Sequence, residues 1–323
     1  MPRVPALKIP EILPHPEAIR SWGDHQHSYE PEFWEFQYEL YRYLGRVSQE
    51  KLVERYPAII RNMHALVSDD RHVIPIQSFL SSWYWYRKEH QTRLEFAMRG
   101  LDLPVQPPAG VLNNQALDAP VRPRSPNAGD VLFRYSKRGY LEEMVHRGRI
   151  RIGPASFYRK LELGEARADE ERAKVSFMPG EYSRITSHDG REIPFIGDIR
   201  RSVSAPNYYV LCLSCDWDSA LFTDFQADAC AVIRGTDAFA ERLEAASKLQ
   251  LDDWYFHHNP VEYFDPHEMP ENQYFDAAMC KDFRFTYQRE YRFLWIHLQD
   301  REPTGFRYLD LGPLRDIVEL YSQ

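Results

Sequence analysis

Gln288, Glu290 and Arg292 are the residues of this chain best arranged to do chemistry. They fall within Phe283–Leu298, an aromatic-rich run free of Gly and Pro that reads as a single β-strand. Side chains alternate across a strand, so Thr286, Gln288, Glu290 and Arg292 share one face while Phe285, Tyr287, Tyr291 and Phe293 share the other. Beyond Phe293 both faces are apolar, as in a strand entering a core. A carboxamide, a carboxylate and a guanidinium therefore meet where a buried strand surfaces. The plainer reading is an exposed Glu290–Arg292 pair, worth ~0–1 kcal/mol and without function.

The elements that must position this patch form two regions. Residues 1–103 read as a helical accessory domain. Phe33, Phe36, Leu40 and Leu44 keep helical spacing; Ser48 is an N-cap candidate for a second helix bearing Leu52, Tyr56, Ile59 and Met63, with Pro57 as a kink or break. A third helix is expected from about Gln77 to Arg99, and the aromatics Trp83–Tyr86 are read as core. Residues 104–130 have the composition of a Pro-rich linker. Residues 131–323 then read as a strand-rich second domain.

In that domain Val131–Tyr135 and Arg149–Ile152 are expected strands flanking a helix ended by Gly148. Ala155–Tyr158 is expected as a loop, followed by a charged, mobile stretch to about Arg201. Tyr208–Ser214 and Ala229–Ile233 read as strands. A helix after Asp237 should bury Phe239, Leu243, Ala246 and Leu249, and a short helix is expected near Leu314–Leu320. Many strands without βαβ alternation indicate an α+β fold.

The chain has 323 residues and a net charge of −8, which argues against indiscriminate nucleic-acid binding but not against a local basic groove. One such cluster is Lys137, Arg138, Arg147, Arg149, Arg151, Arg159 and Lys160; the acidic run Glu162–Glu171 beside it leaves open whether it holds phosphates or is a solvated face. No signal peptide or membrane span is recognisable, so a cytoplasmic protein without membrane contact is expected. GxGxxG, Walker, GxSxG and HExxH motifs are absent. Cys212, Cys215, Cys230 and Cys280 lack the paired knuckles usual for structural zinc, and no metal is assigned.

Three pieces taken in order give a more specific reading. Arg134 lies in the first strand of the second domain, Ser214 ends an apolar strand, and Gln288-Arg289-Glu290 follows late. This order resembles the Arg-Ser-Glu pattern of ADP-ribosyltransferases of the cholera-toxin-like branch. Phe133-Arg134-Tyr135, Gly153-Pro154-Ala155-Ser156-Phe157, Cys212-Leu213-Ser214 and Tyr287-Gln288-Arg289-Glu290-Tyr291-Arg292 also resemble bacterial domains of uncertain role carrying Y-(E/Q)-x-E-(Y/W)-R. The resemblance covers roughly residues 131–310 and implies a split β-sandwich. It implies NAD as co-substrate, with Glu290 gripping the ribose, Arg134 on phosphate or ribose, and Ser214 positioning Glu290 or the nicotinamide ribose. Tyr158 or Phe157 would stack on the cationic nicotinamide ring, and Ser156 is expected among the cofactor-binding residues. Gln288 stands where arginine-modifying relatives carry Glu, which implies a non-arginine acceptor: a nucleic acid such as RNA, or a protein amide. The expected role is a mono-ADP-ribosyltransferase toxin or defence effector acting on an intracellular macromolecule, held by a cognate antitoxin or immunity protein. The alternatives are a silent nucleic-acid-binding module and an NAD glycohydrolase.

Overall fold

Pro31–Leu40 (α1), Gln49–Asn62 (α2) and Tyr84–Arg99 (α3) occupy the stretches where aromatic spacing places helices. The computed structural model describes residues 31–63, 65, 84–105, 130–160, 172–180, 183–268, 276–299 and 301–322, with the side chains of 158–160 outside the description. The expected start of the third helix, at residues 77–83, therefore lies outside the described residues, as does most of the Pro-rich linker. Ser48 caps α2 by accepting the Lys51 N–H at 3.4 Å. Pro57 is accommodated inside α2 and neither breaks nor ends it.

α3 departs from an ordinary amphipathic helix, since Lys88, Glu89, His90, Gln91 and Glu95 are all buried. Charges so placed must be paired. Glu95 accepts from Tyr38 at 2.6 Å, from Arg42 at 2.8 and 2.9 Å, and from Arg99 at 2.6 Å. Arg87 reaches Glu268 at 2.7 Å, and Lys88 and Arg55 converge on Asp265 at 2.6 Å each. The helices are thus fastened to the strand-rich part of the chain by buried ion pairs.

That part contains Val131–Ser136 (β1), Arg138–Arg147 (α4), Arg149–Pro154 (β2), Ala155–Lys160 (α5), Ala173–Met178 (β3), Ile185–Thr186 (β4), Glu192–Ile193 (β5), Ile199–Ser204 (β6) and Tyr209–Ser214 (β7). Ala220–Asp224 (α6), Ala229–Arg234 (β8), Thr236–Gln250 (α7), Trp254–Pro260 (β9), Glu262–Phe264 (β10) and Cys280–Asp282 (β11) follow. A 3₁₀ turn, Phe283–Gln288, then leads to Glu290–His297 (β12), Arg307–Asp310 (β13) and Val318–Ser322 (β14). The result is an α+β architecture whose main sheet is antiparallel throughout.

β7 is the hub of that sheet. β12 pairs along one of its edges, from Glu290↔Ser214 to Trp295↔Tyr209. The opposite edge is shared: β1 meets it at Phe133↔Ser214, and β2 meets it at Gly153↔Val210 and Pro154↔Tyr209. The sheet therefore divides into one arm carrying β1, β8 and β14 and another carrying β2 and β13. One face packs on α4 and α7 through Leu132, Met144, Ile152, Leu213, Leu243 and Phe293. The other face gathers Phe133, Trp217, Phe222, Val232, Phe285 and Tyr287.

Five local expectations are corrected. Phe283–Leu298 is not one strand, because Arg289 at φ 44° separates the 3₁₀ turn from β12. Two side-chain bonds support that turn: Asp282 caps it by accepting the Arg284 N–H at 3.0 Å, and Thr286 Oγ1 donates to the Phe283 carbonyl at 2.6 Å. Ala155–Tyr158 begins helix α5 rather than a loop. The charged stretch carries strands, with β3 paired antiparallel to β6, which runs on to Ser204, and β4 paired to β5 between them. The C-terminal segment is strand β14, since the open edge of β8 offers Val318–Ser322 a full ladder. Leu249 is exposed on α7.

Candidate functional site

Glu290 is the first residue of β12 and pairs with Ser214, the last residue of β7, which in turn pairs with Phe133 on β1. The three strands thus bring two of the expected site residues, and the neighbour of a third, to one level. Above them, where β1 and β2 part, lies a cleft of about 290 Å³ lined by Arg134, Ser214, Gln288, Glu290 and Phe157 among others. Arg134 lies next to Phe133, so its side chain leaves β1 from the opposite face. Its guanidinium contacts the Met144 sulfur at 3.7 Å. It reaches the cleft where the arms diverge.

Glu290 is buried and held from both sides. Lys281 Nζ donates to its Oε2 at 2.7 Å and Arg292 Nε to its Oε1 at 2.5 Å. Burial alone would push its pKa up. The attraction of Arg292 and then of Lys281, with their hydrogen bonds, outweighs that and holds the carboxyl well below the usual carboxylate range. The expected exposed pair with Arg292 is therefore a buried one, as Arg292 is fully enclosed and also donates to the Ala278 carbonyl at 2.6 Å. An ionised carboxylate has about four acceptor sites, so two cations leave it room to accept a hydroxyl as well.

The other expected residues fare differently. Gln288 reaches the cleft from the end of the 3₁₀ turn rather than by strand alternation, and its Oε1 accepts from Lys281 at 3.0 Å. Ser214 does not touch the Glu290 carboxylate. Its hydroxyl donates to the Gln288 carbonyl at 2.7 Å, so it fixes the Gln288–Arg289 peptide instead. Phe157 meets Phe306 edge-on at 4.5 Å in the cleft wall. Ser156 is turned away to Asn207, with its N–H donating to Oδ1 at 3.1 Å and its hydroxyl accepting from Nδ2 at 3.0 Å. The side chain of Tyr158 lies outside the described residues.

Several residues here carry no mark in the sequence. Lys281 sits in a three-residue strand, nine positions before Glu290, and nothing in the local pattern separates a buried Lys from a solvated one. The Tyr263 hydroxyl oxygen accepts the Glu290 N–H at 2.8 Å. Asn62, from the last turn of α2, clasps the 3₁₀ turn: its Nδ2 reaches the carbonyls of Phe283 and Arg284 at 3.3 and 3.1 Å, and its Oδ1 accepts the Tyr287 N–H at 2.7 Å. Arg61 adds its guanidinium over the Tyr287 ring at 3.7 Å. The helical region thus bears directly on the turn that delivers Gln288 and Glu290.

No protein-family model, curated protein or solved structure matches the chain.

The expected basic cluster is divided by the fold. Arg138 and Arg147 pair with Glu142 and Glu143 on α4, whereas Lys137 and Arg151 face the cleft. Arg151 also lies over the Phe306 ring at 4.5 Å. Burial pushes the thiols of Cys215 and Cys280 up to about 12, which makes them poor nucleophiles. Among the described residues no group of three or more His, Cys, Asp or Glu is placed to hold a metal.

Proposed function

We propose that the protein is an NAD-dependent mono-ADP-ribosyltransferase with its site in the cleft between the two arms of the sheet. The observation that carries this reading is the level formed by Ser214 and Glu290 beneath a cleft that Arg134 also lines. The residue types suit NAD. Arg134, Lys137 and Arg151 offer cations for the diphosphate, with the Arg side chains able to bind it bidentately. Phe157 and Phe306 offer aromatic edges and faces to the cationic nicotinamide. The cleft volume lies at the lower edge of the ~300–1,000 Å³ usual for small-molecule sites. It suits the nicotinamide-ribose end.

In the reaction the bond between ribose C1′ and the nicotinamide nitrogen breaks, and its electron pair leaves with nicotinamide, which becomes neutral. Positive charge develops on the sugar. Glu290, fixed and ionised, stabilises that charge and accepts from the ribose hydroxyls. Its depressed pKa makes it an electrostatic stabiliser rather than a base. The acceptor then attacks C1′ and releases its proton to solvent. Gln288 cannot deprotonate a guanidinium, so an amide or a nucleobase is the acceptor class, and a toxin or defence role is the biological reading.

The test is incubation with labelled NAD and cell lysate, followed by separate protease, RNase and DNase digestion. Label should move to a macromolecule and be lost from the Glu290→Gln variant, while retained transfer in a folded variant overturns the assignment. One observation favours a catalytically silent module instead: both Glu290 oxygens already hold cations. Such a module would give no saturable heat on calorimetric titration with NAD.

A further inference from the structure

A second cavity, of about 590 Å³, opens between α2, the β3–β6 pair, the segment after β10 and the start of the 3₁₀ turn. Lys51, Lys174, Arg200 and Arg284 contribute cations to its wall from four different elements. Arg55 lies there too but is committed to Asp265 at 3.0 and 2.6 Å, and Arg284, half-exposed, lies 3.8 Å from Asp282. Glu54 and Asp282 are the acidic residues of the wall. The balance remains positive in a chain whose net charge is −8. The cavity also has an aromatic wall, where Phe177 and His267 stack on one another with centroids 5.3 Å apart and planes 16° from parallel, and the Lys51 ammonium lies 5.3 Å from the Phe177 centroid. Burial, only partly offset by Asp265, pushes the His267 imidazole down to about 4, so at neutral pH it is an uncharged ring.

We propose that this cavity binds a nucleotide of a single-stranded nucleic acid, with a base against the Phe177–His267 side and phosphates among Lys51, Arg200 and Arg284. A recessed pocket that combines stacking faces with dispersed cations suits an unpaired base on a charged backbone. A duplex keeps its bases stacked inside and presents only its exterior. The 3₁₀ turn links the cavity to the cleft: Arg284, in the cavity wall, is the second residue of the turn whose last residue, Gln288, lines the cleft. At about 2 Å rise per residue those positions are ~8 Å apart along the turn, within reach of one flexible strand. If the transferase reading holds, on which this last step rests, the bound strand is the acceptor, and Gln288 faces its modified base.

Lys51, Arg200 and Arg284 are exposed, so reversing their charge leaves the packed interior alone. The experiment measures fluorescence anisotropy of a short labelled oligouridylate without NAD, for the wild type and for Lys51→Glu, Arg200→Glu, Arg284→Glu and Phe177→Ala. Lys248→Glu, an exposed change on α7, is the control. The expected result is a loss of about tenfold in affinity for each reversal and a shallower salt dependence, with the control unchanged. Absence of oligouridylate binding by the wild type, equal loss in the control, unchanged affinity in all three reversals, preference for a duplex, or displacement by a phosphoserine peptide at lower concentration would each overturn the proposal. Because NAD is left out, a failure of transfer and a failure of strand binding are separate results. Arg200→Glu should also lose transfer to the strand while keeping its calorimetric response to NAD.

Discussion

With Lys281 on one oxygen and Arg292 on the other, Glu290 retains acceptor capacity but little basicity. Its replacement is therefore also a structural event. Glu290→Gln leaves two buried cations without their counter-charge, and breaking such an arrangement costs about 3–5 kcal/mol. We expect a clear fall in melting temperature for Glu290→Gln, and partial recovery in Glu290→Gln/Lys281→Gln, read by thermal unfolding. Transfer should be absent from both. The pH dependence has a definite sign. The folded carboxyl binds its proton less tightly than the unfolded one, which titrates near ~4.3. The Glu290 contribution to stability is thus complete above about pH 5 and is lost on acidification below it. His267 acts in the same direction over a higher window. With a folded value of about 4 against ~6.5 unfolded, its contribution is full above the upper value and declines between the two. An NMR titration of the His267 ring should place its midpoint at about 4, against ~6.5 for an exposed histidine.

The 3₁₀ turn is where local sequence and tertiary context disagree. Its aromatic spacing has the period of a strand, yet Asp282, Thr286 and Asn62 each bond a backbone group that a strand would have spent on a ladder. Asn62 comes from a helix more than two hundred residues earlier, so no local window reveals it. Removing it strands buried backbone groups, each worth ~1–3 kcal/mol. We expect Asn62→Ala to lower unfolding free energy by about 2–4 kcal/mol in urea titrations. Calorimetry should show weaker NAD binding as well, because the turn sets the position of Gln288 and Glu290. Retained NAD affinity would make Asn62 a purely structural residue. Strand propensity alone does reveal β1, β2, β7 and β8, since their β-branched and aromatic residues lie in short, turn-bounded runs. β14 is not revealed, because its conformation is decided by the vacant edge of β8.

At the scale of the whole molecule, the α+β class is legible in the sequence and the cooperation of its two regions is not. α3 carries charges that normally mark a solvated face, and their partners Asp265 and Glu268 lie on a distant loop. Asp265 receives both Arg55 and Lys88. Asp265→Ala should therefore cost at least ~3–5 kcal/mol and loosen the helices from the sheet, seen as faster hydrogen exchange in α2 and α3. The Arg134, Ser214 and Glu290 triplet is legible only as an ordered set, because its convergence depends on how β7 shares its edges. Sharing has a consequence of its own. Were β1 and β7 to zip one rung past Phe133 and Ser214, Arg134 would face Leu213 across the ladder and the opening would shut. The cavity is thus a seam left unsewn in the sheet, so lengthening surface loops would leave it intact while closing one further rung of the same ladder would abolish it.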